Sequence, residues 1–384
     1  MHSYNISGHG RMISDRERVA AYSNALRKAV RPGCIVGEIG AGTGVFSMLA
    51  CQLGARRVYA IEADPIFEVG REIVFANGFG DRITFIQDMS TRVELPERCD
   101  VIVSEIHGIL PWFEMHIPSI VDARERMLAS GGILIPQSEN LWAAIVEAPE
   151  LHSFLLDPWT RNPFGFDMRT GRQIATNSWQ KARVKPEQLI TEPKCFATLD
   201  YMTVTDPQLN AGVTWEVSCE RKGTGFVAWF DSILCDGVQL SNSPFTPELI
   251  FGSAFFPWPE EIKLKTGDKI ELALSAHLIS GDYIWRWETT IFSAGNSQKP
   301  SAQFDQSTFS GTPLSLKTIH KRNGGYTPSL NDEGQIDQFI LSHLDGRTSL
   351  QELAGRLVGK FPSYFESLQT ALNRVADCSQ KYGR

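Results

Sequence analysis

The sequence predicts an α/β domain built on a parallel sheet, then an antiparallel all-β domain, then a small helical domain. Three observations carry this. Short apolar strands alternate with helical stretches up to residue 141, which is the order of βαβ units. From 142 to 293 strand-like segments follow one another with little helical periodicity between them, as in antiparallel sheets. From 326 to 384 apolar residues return at helical spacing.

Taken in order, residues 14–30 read as one helix, with Val19, Leu26 and Val30 among its apolar positions. Cys34-Ile35-Val36 is a short strand that runs into a glycine-rich turn, and 45–53 is helical. Arg57–Ile61 is a second strand ending at Glu62; 65–77 is helical; Ile83–Ile86 and Asp100–Ser104 are strands three and four. A helix closes at Met127, and Gly132–Pro136 is the fifth strand. Segments 142–146, 197–204, 214–219, 225–234 and 269–277 are strand-like, with a Pro-, Gly- and polar-rich interruption over 157–193. Ser, Gln, Gly and Pro dominate 294–313, the composition of a linker, taken here as 294–325. Ile336, Phe339, Ile340 and Leu344 then form an amphipathic stripe. Gly346 follows, and Thr348-Ser349 with Glu352 reads as a loose capping signal for the next helix.

Composition bounds the function. Across 384 residues, 42% apolar and 21% charged is ordinary for a globular chain. A net charge of −7 speaks against nucleic-acid binding, which usually needs a basic face, and suits a cationic substrate. The seven cysteines stand singly, with no CxxC pair, so neither a metal site nor a disulfide framework is expected. With no signal peptide in view, a reducing cytoplasm is the expected compartment. The apolar runs fall short of the about 20 residues that span a bilayer.

Gly40-Ala41-Gly42-Thr43-Gly44 follows a strand and opens a helix. Glycines let backbone N–H groups approach a ligand closely, though the spacing is not the dinucleotide GxGxxG. Glu38 lies at the end of the first strand and Glu62 at the end of the second. An acid at the latter place accepts hydrogen bonds from ribose hydroxyls in nucleoside-binding α/β folds. The bland alternative is a tight turn flanked by solvated acids. The strand–glycine turn–helix–strand–acid order favours a nucleoside site.

Glu105 and Glu114 bracket a loop after the fourth strand, with Ile109, Leu110, Trp112 and Phe113 between them. Two carboxylates held together in an apolar pocket repel unless a cation or a proton joins them. A guanidinium, planar and always charged, is the natural guest. The alternative is a pair of surface acids.

These motifs, in this order, resemble the protein arginine methyltransferase family over residues 9–293. His9-x-x-Met12-Ile13-x-Asp15-x-x-Arg18-x-x-x-Tyr22 resembles its N-terminal helix motif, and Glu38–Gly44 its first motif, with Glu where the family has Asp. Val58–Ala63 resembles the next motif, and Glu105 and Glu114 match the family's double-glutamate loop with Gly108 between. The resemblance implies a Rossmann-like S-adenosylmethionine-binding domain over 1–141 and a β-barrel over 142–293. A dimerisation arm is implied at 160–193, around Gly165-Phe166-Asp167. It implies S-adenosylmethionine as cofactor, with Met12, Arg18, Glu38, Gly40, Gly42, Gly44, Glu62, Met89 and Ser90 around it. Arg18 would pair with the methionyl carboxylate, and Met89 and Ser90 would lie near the adenine. Arginine, free or in a peptide or protein, would be the acceptor, and the chain a homodimer.

Several positions depart from the family. Its Trp-Met within the loop is Ile106-His107 here, and its Ser-Met after the second Glu is Met115-His116. Its Thr-His-Trp loop, whose His pairs with the acid matching Asp15, reads Pro247-Glu248-Leu249, or Ile250-Phe251 with a small insertion. His107 is a candidate polar partner or base; the alternative is an ordinary loop histidine. The departures mark a divergent member, expected to be bacterial. They keep open methylation of another small-molecule or peptide nucleophile, or a non-catalytic cofactor-binding role. Leu344–Leu353 loosely resembles small helical peptide-binding domains of bacterial natural-product pathways, so a peptide partner for 326–384 is considered beside a plain helical cap.

Overall fold

The computed structural model describes residues 5–161, 164–296 and 298–383. Asp15 divides the segment read as one helix into α1 (Ile6–Ser14) and α2 (Arg16–Ala29). Its backbone is extended and its side chain accepts from the Arg18 amide at 3.1 Å, the geometry of an N-cap, which starts a helix afresh. There follow β1 (Ile35–Ile39), α3 (Val45–Gln52), β2 (Arg57–Ile61), α4 (Ile66–Ala76), β3 (Ile83–Ile86), β4 (Cys99–Ser104), α5 (His116–Arg126) and β5 (Leu128–Ile135). The five strands pair in parallel in the order β3-β2-β1-β4-β5. The central strands are apolar on both faces: Val36, Ile39, Val58, Ala60 and Val101–Val103 are all buried, as a sheet covered by helices requires.

After the cis Ile135–Pro136 bond come β6 (Ser138–Val146), α6 (Pro149–Thr160), α7 (Arg169–Thr176), β7 (Gln180–Ala182), β8 (Lys194–Asp200), β9 (Leu209–Glu216), β10 (Arg221–Cys235), β11 (Val238–Ser241), β12 (Ser253–Leu264), β13 (Lys269–Ile279), β14 (Asp282–Phe292) and β15 (Ala302–Ser307). The expected barrel is built as two antiparallel sheets, β7-β12-β10-β6-β8 with β11 on β10, and β15-β14-β13-β9. Aromatic side chains fill its core: Phe226 stacks on Phe256 at 4.4 Å, and Phe256 meets Trp287 edge-on at 5.1 Å. The long strands β12 and β14 are not among those read from the sequence. β12 carries Pro257 and Pro259, which dilute a strand signal. In β14 the buried Tyr283, Trp285 and Trp287 alternate with outward Arg286 and Glu288.

Residues 302–307, assigned to the linker, instead pair along β14 from Ile291↔Ala302 to Arg286↔Ser307. The polar composition of this segment belongs to an edge strand in which only Gln306 is buried. The interruption over 157–193 holds the end of α6, all of α7 and β7. Asn162 and Pro163 of the expected arm lie outside the described residues; beyond them Phe164 and Phe166 are exposed.

Two compact units result, Met1–Pro313 and Leu314–Arg384. The second consists of α8 (Leu316–Lys321), α9 (Asp332–Leu341), α10 (Leu350–Lys360) and α11 (Leu368–Tyr382). Its core is Ile336, Ile340, Leu353, Leu357 and Val375. Ser349 caps α10, accepting from the Glu352 amide at 3.2 Å.

Removing the central ring of the aromatic core tests this packing. Phe256→Ala is expected to cost about 3–5 kcal/mol of stability, read as a lowered urea midpoint of the 1–313 unit. A midpoint within error of the parent would show that the aromatic stack is not the main source of cohesion.

Candidate active site

The connection after β1 leads to β2 on one side and that after β4 leads to β5 on the other. At such a switch point the C-terminal strand ends open a crevice. A cavity of about 280 Å³ lies there. Met12 and Arg18 reach it from α1 and α2; Glu38, Gly40 and Gly42 from β1 and its turn; Glu62 from the end of β2. Met89 and Ser90 line it after β3, and Glu105, His107 and Glu114 line it from the loop after β4. Gly44 does not. It begins α3 at φ 76°, and a Cβ there would press on the Phe85 ring at 2.9 Å, so its role is packing the turn onto the sheet.

Gly40 and Gly42 have φ of 77° and 52°, a region that disfavours any side chain. The Gly42 amide donates to Glu62 Oε2 and the Asp64 amide to Glu62 Oε1, both at 2.8 Å. The acid is thereby held by backbone alone, with lone pairs left over for hydroxyl donors. From α4, Gly70 packs so tightly that a Cβ would collide with the Gly42 carbonyl. Glu38 is almost fully buried and accepts from the Ser47 hydroxyl. Burial raises its pKa to about 8, against the opposing hydrogen bonds from Ser47.

The structure redistributes the charges expected of the acceptor loop. Glu105 does not stand as a bare carboxylate beside Glu114. Arg18 Nε donates to Glu105 Oε1 at 2.8 Å, and its Nη2 pairs with Oε2. Arg18 Nη1 donates to the Met12 carbonyl at 3.0 Å, and the guanidinium lies over the Phe46 ring at 5.3 Å. The repulsion between two open carboxylates is therefore relieved within the chain. Glu114 has no hydrogen-bond or ion-pair partner among the described residues, and it sits at φ 41°, strained for a non-glycine residue.

Of the two segments that could stand at the family's Thr-His-Trp loop, Pro247-Glu248-Leu249 and Ile250-Phe251, the second is the one that meets Asp15. The Ile250 amide donates to Asp15 Oδ2 at 2.7 Å, so the loop keeps its tie to Asp15 without an imidazole. Phe251 lines the cavity and stacks on His107, centroids 5.3 Å apart. His107 is buried rather than an ordinary loop residue: its Nδ1 donates to the Gly108 carbonyl at 2.8 Å, and Phe230 meets its ring edge-on.

Behind His107 lies a cluster that the sequence reading missed. His107 Nε2 is 3.6 Å from Glu139 Oε1. Tyr201 donates to Glu139 Oε2 at 3.0 Å, and His116 Nε2 is 2.9 Å from the Tyr201 oxygen. One signal was available. Glu139 shares the inward face of β6 with Leu141, Ala143 and Ile145, and a charge in the core register of a strand is informative.

A glycine turn at the switch point, an acid fixed at the end of β2 and an acidic loop after β4 define an α/β methyltransferase that uses S-adenosylmethionine. A family model described as the arginine methyltransferase oligomerization subdomain matches residues 137–284, and one described as ribosomal protein L11 methyltransferase matches 22–156. Protein arginine N-methyltransferase 6 of Xenopus laevis is 30% identical over 283 residues, 68% of this chain and 83% of its own length. A relative from Arabidopsis thaliana, described as probable protein arginine N-methyltransferase 6, is 32% identical, but the match spans only 55% of its length and 60% of this chain. The solved Trypanosoma brucei protein arginine methyltransferase 1 enzyme–prozyme heterotetramer with S-adenosylhomocysteine shares the fold. Its TM-score is 0.70 at 21% identity, over 78% of this chain and 96% of that one. The chain belongs to the protein arginine N-methyltransferase family.

Two outcomes follow. Gly70→Ala, by pushing the Gly42 carbonyl, is expected to weaken S-adenosylhomocysteine binding about tenfold, or 1.4 kcal/mol, in calorimetric titration; unchanged affinity would mean the turn yields freely. Glu38 keeps a proton in the folded chain up to about pH 8 that the unfolded chain releases near its ordinary value of 4.5. Its contribution to stability is then complete below about pH 4.5 and is lost as pH rises through about 8. Melting temperatures of cofactor-free Glu38→Gln, relative to the parent, should therefore climb between about pH 5 and pH 9; a pH-independent difference would refute the shift.

Proposed function

We propose that this chain transfers the methyl group of S-adenosylmethionine to a guanidino nitrogen of arginine in a protein or peptide, acting as a cytoplasmic homodimer. The observation that carries the acceptor assignment is Glu114: a carboxylate without a partner among the described residues, in a cavity whose other loop carboxylate is already held by a guanidinium. Bound cofactor supplies an activated methyl on a sulfonium, so the protein's task is positioning.

The residues present fit that cofactor. The Gly40–Gly42 backbone allows close approach, Glu62 has acceptor capacity for ribose hydroxyls, and Met89 and Ser90 form part of the same wall. Arg18 spends three of its five N–H donors within the chain, which leaves donors for a methionyl carboxylate. Glu114 grips the acceptor guanidinium, with Glu105 as second acceptor held in orientation by Arg18. Pinning the acceptor's charge on these oxygens keeps electron density on the attacking nitrogen. The homodimer is supported by the oligomerization-subdomain match and by the exposed Phe164 and Phe166. The cytoplasm is supported by seven unpaired cysteines.

The two glutamates should separate experimentally. Glu114→Gln is expected to lower kcat/KM for an arginine-rich peptide by about 10²–10³ and to leave S-adenosylhomocysteine affinity within about twofold, which is under about 0.5 kcal/mol. Glu105→Gln leaves Arg18 buried without its counter-charge, a loss of about 3–5 kcal/mol in comparable sites, and should impair cofactor binding, peptide turnover and stability together. Transfer of labelled methyl with analysis of hydrolysed product decides the reading: label in no guanidine-containing product would overturn it.

A further inference from the structure

The buried cluster behind the cavity has no part in gripping substrate, yet its polarity is costly. Glu139 is completely buried, its Oε1 has no hydrogen-bond partner among the described residues, and the same holds for His107 Nε2 and His116 Nδ1. Buried polar atoms left this way in a native chain call for a functional account. His107 and His116 stand where the resembled family has methionine, and the family's histidine that pairs with the acid matching Asp15 is absent here, the Ile250 amide meeting Asp15 instead. Polarity is lost on one wall and gained on another.

Methylation creates a need for such groups. A guanidinium and a sulfonium, two positive charges, become a methylguanidinium and a neutral thioether. The N–C bond forms, the S–C bond breaks, and one proton leaves the attacking nitrogen. We propose that the chain His116–Tyr201–Glu139–His107 takes up this proton, with His116 as its entry. The proposal rests on the arginine reading above.

Hydrogen-bond directions support it. Tyr201 donates to Glu139 Oε2, so its oxygen is left to accept from His116 Nε2–H. His116 Nδ1 then bears a lone pair, on a residue that lines the cavity. A proton arriving there lets Nε2 release its own to Tyr201, which passes its own to Glu139. At the far end the Gly108 carbonyl can only accept, so His107 Nδ1 carries hydrogen, and a bare Nε2 lone pair opposite Glu139 Oε1 would repel it. Glu139 Oε1 and His107 Nε2, 3.6 Å apart and unbridged, are the two atoms that the arriving proton joins, and the carboxylate is where it ends. Burial holds the His116 imidazole well below its ordinary value, so it rests neutral at pH 7 and hands a proton on rather than keeping it. The other titratable and charged groups around the cluster are Tyr22 of α2, Tyr283 of β14, Arg124 of α5, and Arg18, Glu105 and Glu114 at the cavity.

The test cuts the chain at Tyr201→Phe, which removes one oxygen, and separately at Glu139→Gln. Peptide methylation is followed from about pH 6 to pH 10, beside melting temperature and S-adenosylhomocysteine affinity. The expected result is a kcat loss of about 10²-fold near pH 7 that shrinks as pH rises and solvent base takes over, with cofactor affinity unchanged. Histidine-selective ¹⁵N NMR of the cofactor-free parent should show His116 as the neutral Nε2–H tautomer at pH 7. A loss equal at every pH in whichever variant folds, or His116 found as the Nδ1–H tautomer or as imidazolium, overturns the relay while guanidine labelling by the parent keeps the arginine reading. A parent that labels no guanidine overturns both.

Discussion

A guanidinium and a carboxylate, 87 residues apart in sequence and both nearly buried, set the shape of the site. Burying either Arg18 or Glu105 alone would be prohibitive; buried together and bidentate they are tolerable. The pair draws α2 against the loop after β4 and so closes one side of the cavity. It also explains the break at Asp15. One carboxylate oxygen starts α2 at the register that aims Arg18 at Glu105, and the other receives the Ile250 amide. The N-terminal helices, the acceptor loop and the loop before β12 are thus tied at a single place.

The charge balance of the cavity follows. Glu38, Glu62, Asp64, Asp88, Glu105 and Glu114 line it, against Arg18. Glu105 is neutralised by Arg18, burial favours a proton on Glu38, and Glu62 is engaged by two amides. What remains is a field that favours cations, which describes both a sulfonium and a guanidinium. Among the loop acids the geometry selects Glu114 as the open one, a distinction that the spacing of the two glutamates does not contain.

The departures from the family form a consistent set once they are seen in three dimensions. Phe251 supplies an aromatic wall where the family has Trp, and it stacks on His107. The His107 and His116 rings approach edge-on, with centroids 5.5 Å apart, and Tyr201 joins His116 to Glu139. A lone buried glutamate in β6 would be a liability; with a tyrosine and two imidazoles around it, it becomes part of a network that is satisfied at Oε2 and left open at Oε1.

Much of this was legible in the residues themselves. The parallel sheet, the glycine turn and the acid ending β2 are local features: alternating apolar runs, glycines where φ is positive, an acid one residue past a strand. Sequence periodicity reports these directly because neighbouring residues determine them. Composition misled where an edge strand resembles a linker, as at 302–307, and where prolines interrupt a strand, as in β12. The partner of Arg18, the open state of Glu114 and the carboxylate behind His107 were decided by the tertiary structure alone. Each depends on side chains from distant segments meeting at the switch point, and the energy of a buried charge depends on what surrounds it rather than on what precedes it in the chain.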